Sequence, residues 1–401
     1  MSTRNDKEAA ALQGIGFLPS MYFFTFLGLS AVIPYLALYL DSIGFNGSQI
    51  GVILSIVPFV SMFSTPFWSG LADASKRHKA VLVVAIASAI LLYGITPLVG
   101  SFNWMVVAFV ALALFSSHLL SLADSATMHM LGEFKERYGG IRFWGTAGWG
   151  IGGPLFGWLF NYTGLVWMFW FSSAILVLPL LLVRHLQFDV QQQKESFFND
   201  LRGLIGDRRL LLFLFATFLA AAGQTAHGSY LSLLLNQLGQ DGATLFGWAI
   251  PVAGLLGVAL LLSMLSEVPI MVHSARLLNR LGTRGLLFIS LLVSAGRNLL
   301  YAFTDQLWVL LLLQLLHGLT FALLWIAGVH FMARNAPKGL SATAQGLFNA
   351  ALSGIGYGLG NLVWGIFIDQ YGVQNMYGIS GVIIMAGFGL VALLERRFQI
   401  S

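Results

Sequence analysis

The 401-residue chain is 57% hydrophobic and only 9% charged, with a mean hydropathy of +0.81. A soluble domain carries roughly 25% charged residues, so this chain lacks the charge to coat a water-facing surface, and lipid must cover most of it. It has no cysteine, which excludes disulfides and thiolate metal sites.

Residues 1–13 are polar and charged and lead straight into a long apolar run. That pattern reads as an uncleaved first span, not a removable leader. A spanning helix needs about 20 apolar residues. Such runs recur to the end of the chain and predict twelve spans, at 14–40, 48–71, 80–99, 104–131, 141–160, 166–184, 209–235, 244–274, 285–303, 307–333, 340–368 and 376–394. With the N-terminus inside, every Lys and Arg except Arg142 and Arg297 falls in an inner segment, while the outer loops carry Asp41, Asp241, Asp305 and Asp369. The net charge of +5 is therefore a positive-inside bias and not a nucleic-acid patch. It predicts a multi-pass protein of the plasma (cytoplasmic) membrane with both termini cytoplasmic.

The polar stretch 187–207 reads as a cytoplasmic linker. It divides the chain into 1–186 and 208–401, each with six spans. The expected fold is thus an all-α membrane protein of twelve transmembrane helices in two pseudo-symmetric six-helix bundles. The halves repeat faintly. Gly148, Gly150, Gly152 and Gly157 are matched by Gly356, Gly358, Gly360 and Gly365, an offset of 365 − 157 = 208. The inner loop Gly70–Arg77 corresponds to Leu278–Arg284. Duplicated halves suit a carrier whose lobes rock about a midplane site. The 45 glycines either allow that sliding or simply pack helices closely.

An ionisable group at a helix centre costs roughly 2.5–3.5 kcal/mol on insertion scales, so such groups are few. Four lie within spans: Asp124, Arg142, Glu267 and Arg297. Each half holds one acid and one base. Arg142, Thr146 and Trp149 stand at i, i+4 and i+7 on one helix face, a stripe that fits a ligand with a polar edge and a flat apolar side. The alternative has Arg142 snorkelling to the interface beside Lys135 and Arg137. Glu267 precedes Pro269, which is expected to break span eight locally. Glu267 is either a proton carrier, releasing its proton on exposure to the cytoplasm, or a structural partner of Arg297. His317 stands out among the histidines because Gln314 and His317 share a face of span ten. No histidine pair stands near a carboxylate, so no metal and no cofactor is expected beyond a coupling proton.

Two features of these residues resemble the major facilitator superfamily over the whole chain: the twelve-span layout with its central linker, and the degenerate loop Asp73-Ala74-Ser75-Lys76-Arg77. The closer likeness is to the lactose permease group and its phenylpropionate permease-like and nucleoside:proton symporter relatives. Tyr138–Trp149 is similar to the fifth span of the sugar permeases, where an Arg pairs with an acid eighteen residues earlier and a Trp seven residues later stacks on the sugar. Those positions here are Asp124 and Trp149. Arg297 and His317 fall where that group keeps an Arg and a His. Its proton-carrying Glu and its Lys on span ten correspond to Thr320 and Gln314, and its two span-seven aspartates to Ala226 and Ser229, so the proton site does not transfer. Glu267, in Ser-Glu-Val-Pro-Ile, resembles the span-eight acid of the nucleoside and phenylpropionate groups. Asp124, one methylene shorter than the group's Glu, implies a different reach.

The resemblance implies a proton-coupled symporter of a small polar organic solute, such as a sugar or glycoside, a nucleoside or an aromatic acid, working by alternating access. Asp124, Arg142, Thr146 and Trp149 would bind the solute, and Glu267, Arg297 and His317 would manage the proton. An efflux antiporter is the alternative, because Gly153-Pro154-Leu155-Phe156-Gly157 partly resembles the Gly-Pro motif of drug antiporters. A polytopic enzyme is disfavoured by short outer loops and the lack of a catalytic constellation. A non-transporting solute sensor stays open. A two-lobed carrier is able to work as a monomer.

Overall fold

In lipid, apolar runs of this length must satisfy their backbone groups internally, and helices do so. The computed structural model describes residues 15–134, 137–186, 207–239, 244–245, 248–336 and 341–398. Eleven helical segments among them are long and apolar enough to cross a membrane. In chain order they are α1 Leu18–Ser42, α2 Gly47–Ser75, α3 His78–Leu98, α4 Phe102–Leu131, α6 Trp167–His185, α7 Arg208–Leu238, α8 Val252–Val272, α9 Ser274–Phe303, α10 Leu307–Asn335, α11 Thr343–Tyr371 and α12 Val373–Arg396. The twelfth helix is α5, Tyr138–Thr163, which is 26 residues long but diluted in hydropathy by its glycines. The linker expected over 187–207 lies outside the described residues except for Asp207, which caps α7 by accepting from the Arg209 backbone N–H at 2.8 Å.

Two expectations need correction. Span eight does not begin at 244. A short antiparallel ribbon of β1 Thr244–Leu245 and β2 Trp248–Ala249 precedes it, and α8 starts only after Pro251, whose extended backbone (ψ 155°) forms the N-cap. Pro269 does not break α8, which continues through it to Val272. The missing Pro269 N–H removes one bond of the ladder, to the Leu265 carbonyl, and the bonds on either side keep the helix going. Span nine begins close to the expected 285, because Ser274–Phe303 is two helices that meet at a non-helical Gly282. An inner segment joins it through Gly282, whose φ of +64° is the left-handed conformation that favours glycine.

The chain divides into two compact units, Met1–Tyr39 with Val60–Gln193, and Leu40–Phe59 with Lys194–Ser401. In the first unit α5 lies against α1. A Cβ on Gly148 would land on the Phe23 carbonyl, and one on Gly152 would land on Ser30, so only glycine allows this approach. The Tyr35 hydroxyl donates to the Gly153 carbonyl at 2.6 Å. In the second unit α11 lies against α7 in the same way. A Cβ on Gly356 would stand 2.5 Å from the Ala221 Cβ, one on Gly360 would meet Thr225, and the Tyr230 hydroxyl donates to the Asn361 carbonyl at 2.5 Å. The sequence offset of 208 thus carries a repeated set of contacts, with position 153 answered by 361.

The second unit also clasps the start of α2. Both carboxylate oxygens of Asp369 accept from backbone N–H groups there, Gly47 at 2.6 Å and Ser48 at 2.8 Å. Asn236 donates to Asp41 at 3.0 Å. Together with Asn46 and Gln237 these groups line a polar cavity of about 310 Å³.

Candidate functional site

The glycine face of α5 determines where Arg142 goes. Arg142 lies one turn before Gly145, at the edge of the surface that meets α1. Its guanidinium carbon sits 4.2 Å from the Phe26 ring centroid and 5.5 Å from that of Tyr22, a cation–π arrangement. Asp124, on α4, approaches with Oδ1 3.8 Å from Arg142 Nε. The expected acid–base pair is therefore present, but it is loose. Asp124 is held more closely by Tyr22, whose hydroxyl donates to the same Oδ1 at 2.5 Å and lies 3.2 Å from Thr127 Oγ1. The Tyr138 side chain lies beside Asp124 and Arg142.

Burial separates these groups by role. Tyr22 is 1% exposed, whereas the Asp124 and Arg142 side chains keep 36% and 31% of their surface accessible. The Arg142 guanidinium is engaged by α1 and α4. Thr146 and Trp149 continue along α5, and both are half-buried. An accessible guanidinium edge beside a carboxylate presents donors and acceptors side by side. That pattern matches paired hydroxyls, and an indole two turns away offers a flat apolar surface.

Because Gly148 sets the α1–α5 approach, Gly148→Val is expected to push Tyr22 away from Asp124 and abolish solute uptake. Gly139→Val, on the same helix with no atom within 4 Å of the added Cβ, is expected to retain it. Uptake normalised to protein in the membrane checks both.

In the second unit the residues expected to handle protons fall into two groups. Glu267 on α8 and His317 on α10 meet at 4.0 Å, with 22% and 26% of their side-chain surfaces accessible. The contact follows from Gly318. A Cβ there would strike the Ser266 carbonyl, and its N–H donates to Ser266 Oγ at 3.0 Å, which sets the adjacent His317 against the adjacent Glu267. His317 also stacks on Phe321 with centroids 5.6 Å apart. The backbone is irregular here, a 3₁₀ turn at Leu313–Leu316 followed by a π turn at Gly318–Ala322. The Thr320 carbonyl accepts from Ser290 Oγ at 2.6 Å and Gln224 Nε2 at 3.2 Å. Such π turns recur at functional sites.

Arg297 is not the partner of Glu267. Its side chain is buried (1% exposed). Its Nη2 donates to Gln314 Oε1 at 2.6 Å and its Nε to the Tyr301 hydroxyl at 3.0 Å. Gln314 is fixed in turn, donating to Tyr301 at 2.7 Å and accepting from Ser263 Oγ at 3.0 Å. Among the described residues Arg297 Nη1 has no hydrogen-bond partner. A buried cation held by neutral acceptors needs each of them, so Gln314 belongs to this network and does not face an open space. The sequence reading missed Tyr22, Phe26, Tyr138 and Tyr301, all aromatic residues within otherwise apolar spans.

The MFS_1-like family matches residues 17–379. This chain belongs to that family. It is 30% identical over 381 residues to the maltose permease of Geobacillus stearothermophilus, covering 94% of each chain. It is 25% identical over 398 residues to the multidrug resistance protein MdtG of Salmonella typhimurium, covering 94% of this chain and 95% of that one. Its fold matches the crystal structure of the nucleoside transporter NupG with a TM-score of 0.84 at 18% identity, covering 94% and 97% of the two chains. This chain is an integral multi-pass membrane protein and a secondary transporter.

Proposed function

We propose that this transporter is a proton-coupled symporter of a polyhydroxylated solute, with a sugar or glycoside such as maltose as the first candidate ahead of nucleosides and aromatic acids. The observation that carries the reading is the accessible Asp124–Arg142 pair with Trp149 on the same helix. It offers acceptors and donors for hydroxyls and a ring for the face of a sugar. Thr146, between Arg142 and Trp149, adds a hydroxyl to that stripe. The identity to a maltose permease over nearly the whole chain supports the sugar class. Glu267 and His317 carry the coupling proton, and Arg297 supplies a fixed positive charge nearby. No cofactor takes part, and a monomer suffices.

The test is uptake of radiolabelled maltose by proteoliposomes under an imposed inward proton gradient, with uridine and phenylpropionate as competitors. Gradient-driven accumulation blocked by unlabelled maltose supports the reading. Accumulation blocked by uridine alone moves the substrate to nucleosides. The likeness to a multidrug resistance protein favours a second reading, outward antiport, in which the same gradient drives solute out.

Both termini are assigned to the cytoplasm. The natural absence of cysteine makes this simple to check. Cysteine placed at Asp305 is expected to react with an impermeant maleimide added to intact cells, and cysteine placed at Arg208 only after permeabilisation. The reverse pattern would invert the topology.

A further inference from the structure

We propose that Tyr22 is a positioning residue for solute recognition, acting through Asp124. The inference rests on the reading of Asp124 as a solute ligand. Tyr22 is locked in the α1–α5 packing, and its hydroxyl makes the shortest contact to Asp124, 2.5 Å to Oδ1, where Arg142 Nε stands at 3.8 Å. Thr127 Oγ1 lies 3.2 Å from the phenol oxygen, and the Thr127 hydroxyl donates to the Ala123 carbonyl at 2.8 Å. One carboxylate oxygen is therefore occupied by a buried donor that cannot move away. The carboxylate is thereby held in one orientation beside Arg142. A short Asp side chain needs such a donor, because it reaches less far toward Arg142 than a Glu would. Tyr22 touches no solute. It selects solutes by the angle at which Asp124 is held, so the pattern of hydroxyls recognised depends on a residue of α1.

The experiment is a double-mutant cycle of Tyr22→Phe and Asp124→Asn on transport of radiolabelled maltose, with folded protein quantified by size exclusion in detergent. A charge-assisted hydrogen bond is worth about a tenfold change in an equilibrium constant or more. Tyr22→Phe is therefore expected to raise KM about tenfold with Vmax within about twofold, and to add nothing further in the Asp124→Asn background. Tyr93→Phe, a buried tyrosine elsewhere in the same unit, is expected to leave KM unchanged. An unchanged KM in Tyr22→Phe, or the same increase with and without the Asp124 carboxylate, overturns the proposal. If Asp124→Asn itself leaves KM unchanged, the assignment of Asp124 as a ligand falls, and this proposal with it. A solute-independent readout is carbodiimide labelling of Asp124 followed by mass spectrometry. The reagent attacks the protonated acid, so loss of the phenol donor is expected to speed labelling, and equal rates in wild type and Tyr22→Phe would overturn the proposal whatever the solute.

Discussion

Arg142→Lys is expected to weaken solute binding about 100-fold although it keeps the positive charge. A guanidinium presents a planar fork of donors, and here that plane lies over Phe26 with its Nε edge toward Asp124. An ammonium on a flexible stem holds neither position. Each hydrogen bond to a charged group contributes about 1.5–3 kcal/mol, and about 1.4 kcal/mol corresponds to a tenfold change in affinity. Losing two weakly formed bonds, or one strong one, gives the expected factor. The change should appear in KM for uptake and in Kd for the purified protein alike, because under the proposed function Arg142 binds the solute and does not move the proton. An equal KM in wild type and Arg142→Lys would show that a point charge suffices and that the fork geometry has no role.

Glu267→Gln is expected to abolish gradient-driven accumulation while solute counterflow continues at a rate within a few-fold of wild type. The amide nearly matches the acid in size, so the helix contacts made through Ser266 and Gly318 should survive. What disappears is the exchangeable proton. A carrier that needs protonation to cycle then equilibrates its solute without concentrating it. His317, 4.0 Å away, is the group through which the proton would communicate with the rest of α10. The backbone of that helix is irregular on both sides of His317, a 3₁₀ turn before it and a π turn after it. Accumulation that persists in Glu267→Gln would remove Glu267 from the coupling.

The sequence was most legible where the physics of lipid leaves few options. Apolar runs of spanning length had to become helices, and the bias of Lys and Arg placement followed without any structural information. The Asp124–Arg142 pair was legible because membrane charges are few. The repeat at offset 208 was legible in glycines, and its meaning emerged only when Tyr35 and Tyr230 proved to donate to carbonyls at matching positions. Other features left no mark. Tyr22 looks like Tyr35 and Tyr39 in an apolar span, and no spacing marks it as the one that reaches Asp124. The nearest signal was the stripe Gly145, Gly148, Gly152, which announces a helix packed beside Arg142 without naming its side chains. The alternative that paired Glu267 with Arg297 failed because it rested on complementary charge where geometry decided. Gln314 and Tyr301 satisfy Arg297, and the glycine at 318 delivers His317 to Glu267 instead. The late start of α8 was hidden because Ala243–Ile250 is apolar enough to pass for helix, and Pro251 was the signal that should have stopped it.

The most direct measurement is equilibrium binding of maltose to the purified protein in detergent, compared across wild type, Asp124→Asn, Arg142→Lys and Glu267→Gln at fixed pH. Saturable binding that collapses in the first two variants and persists in Glu267→Gln is the predicted outcome, with the solute held in one unit and the proton handled in the other. Binding that is equally strong in wild type and Asp124→Asn, or that is lost only in Glu267→Gln, would place the solute elsewhere.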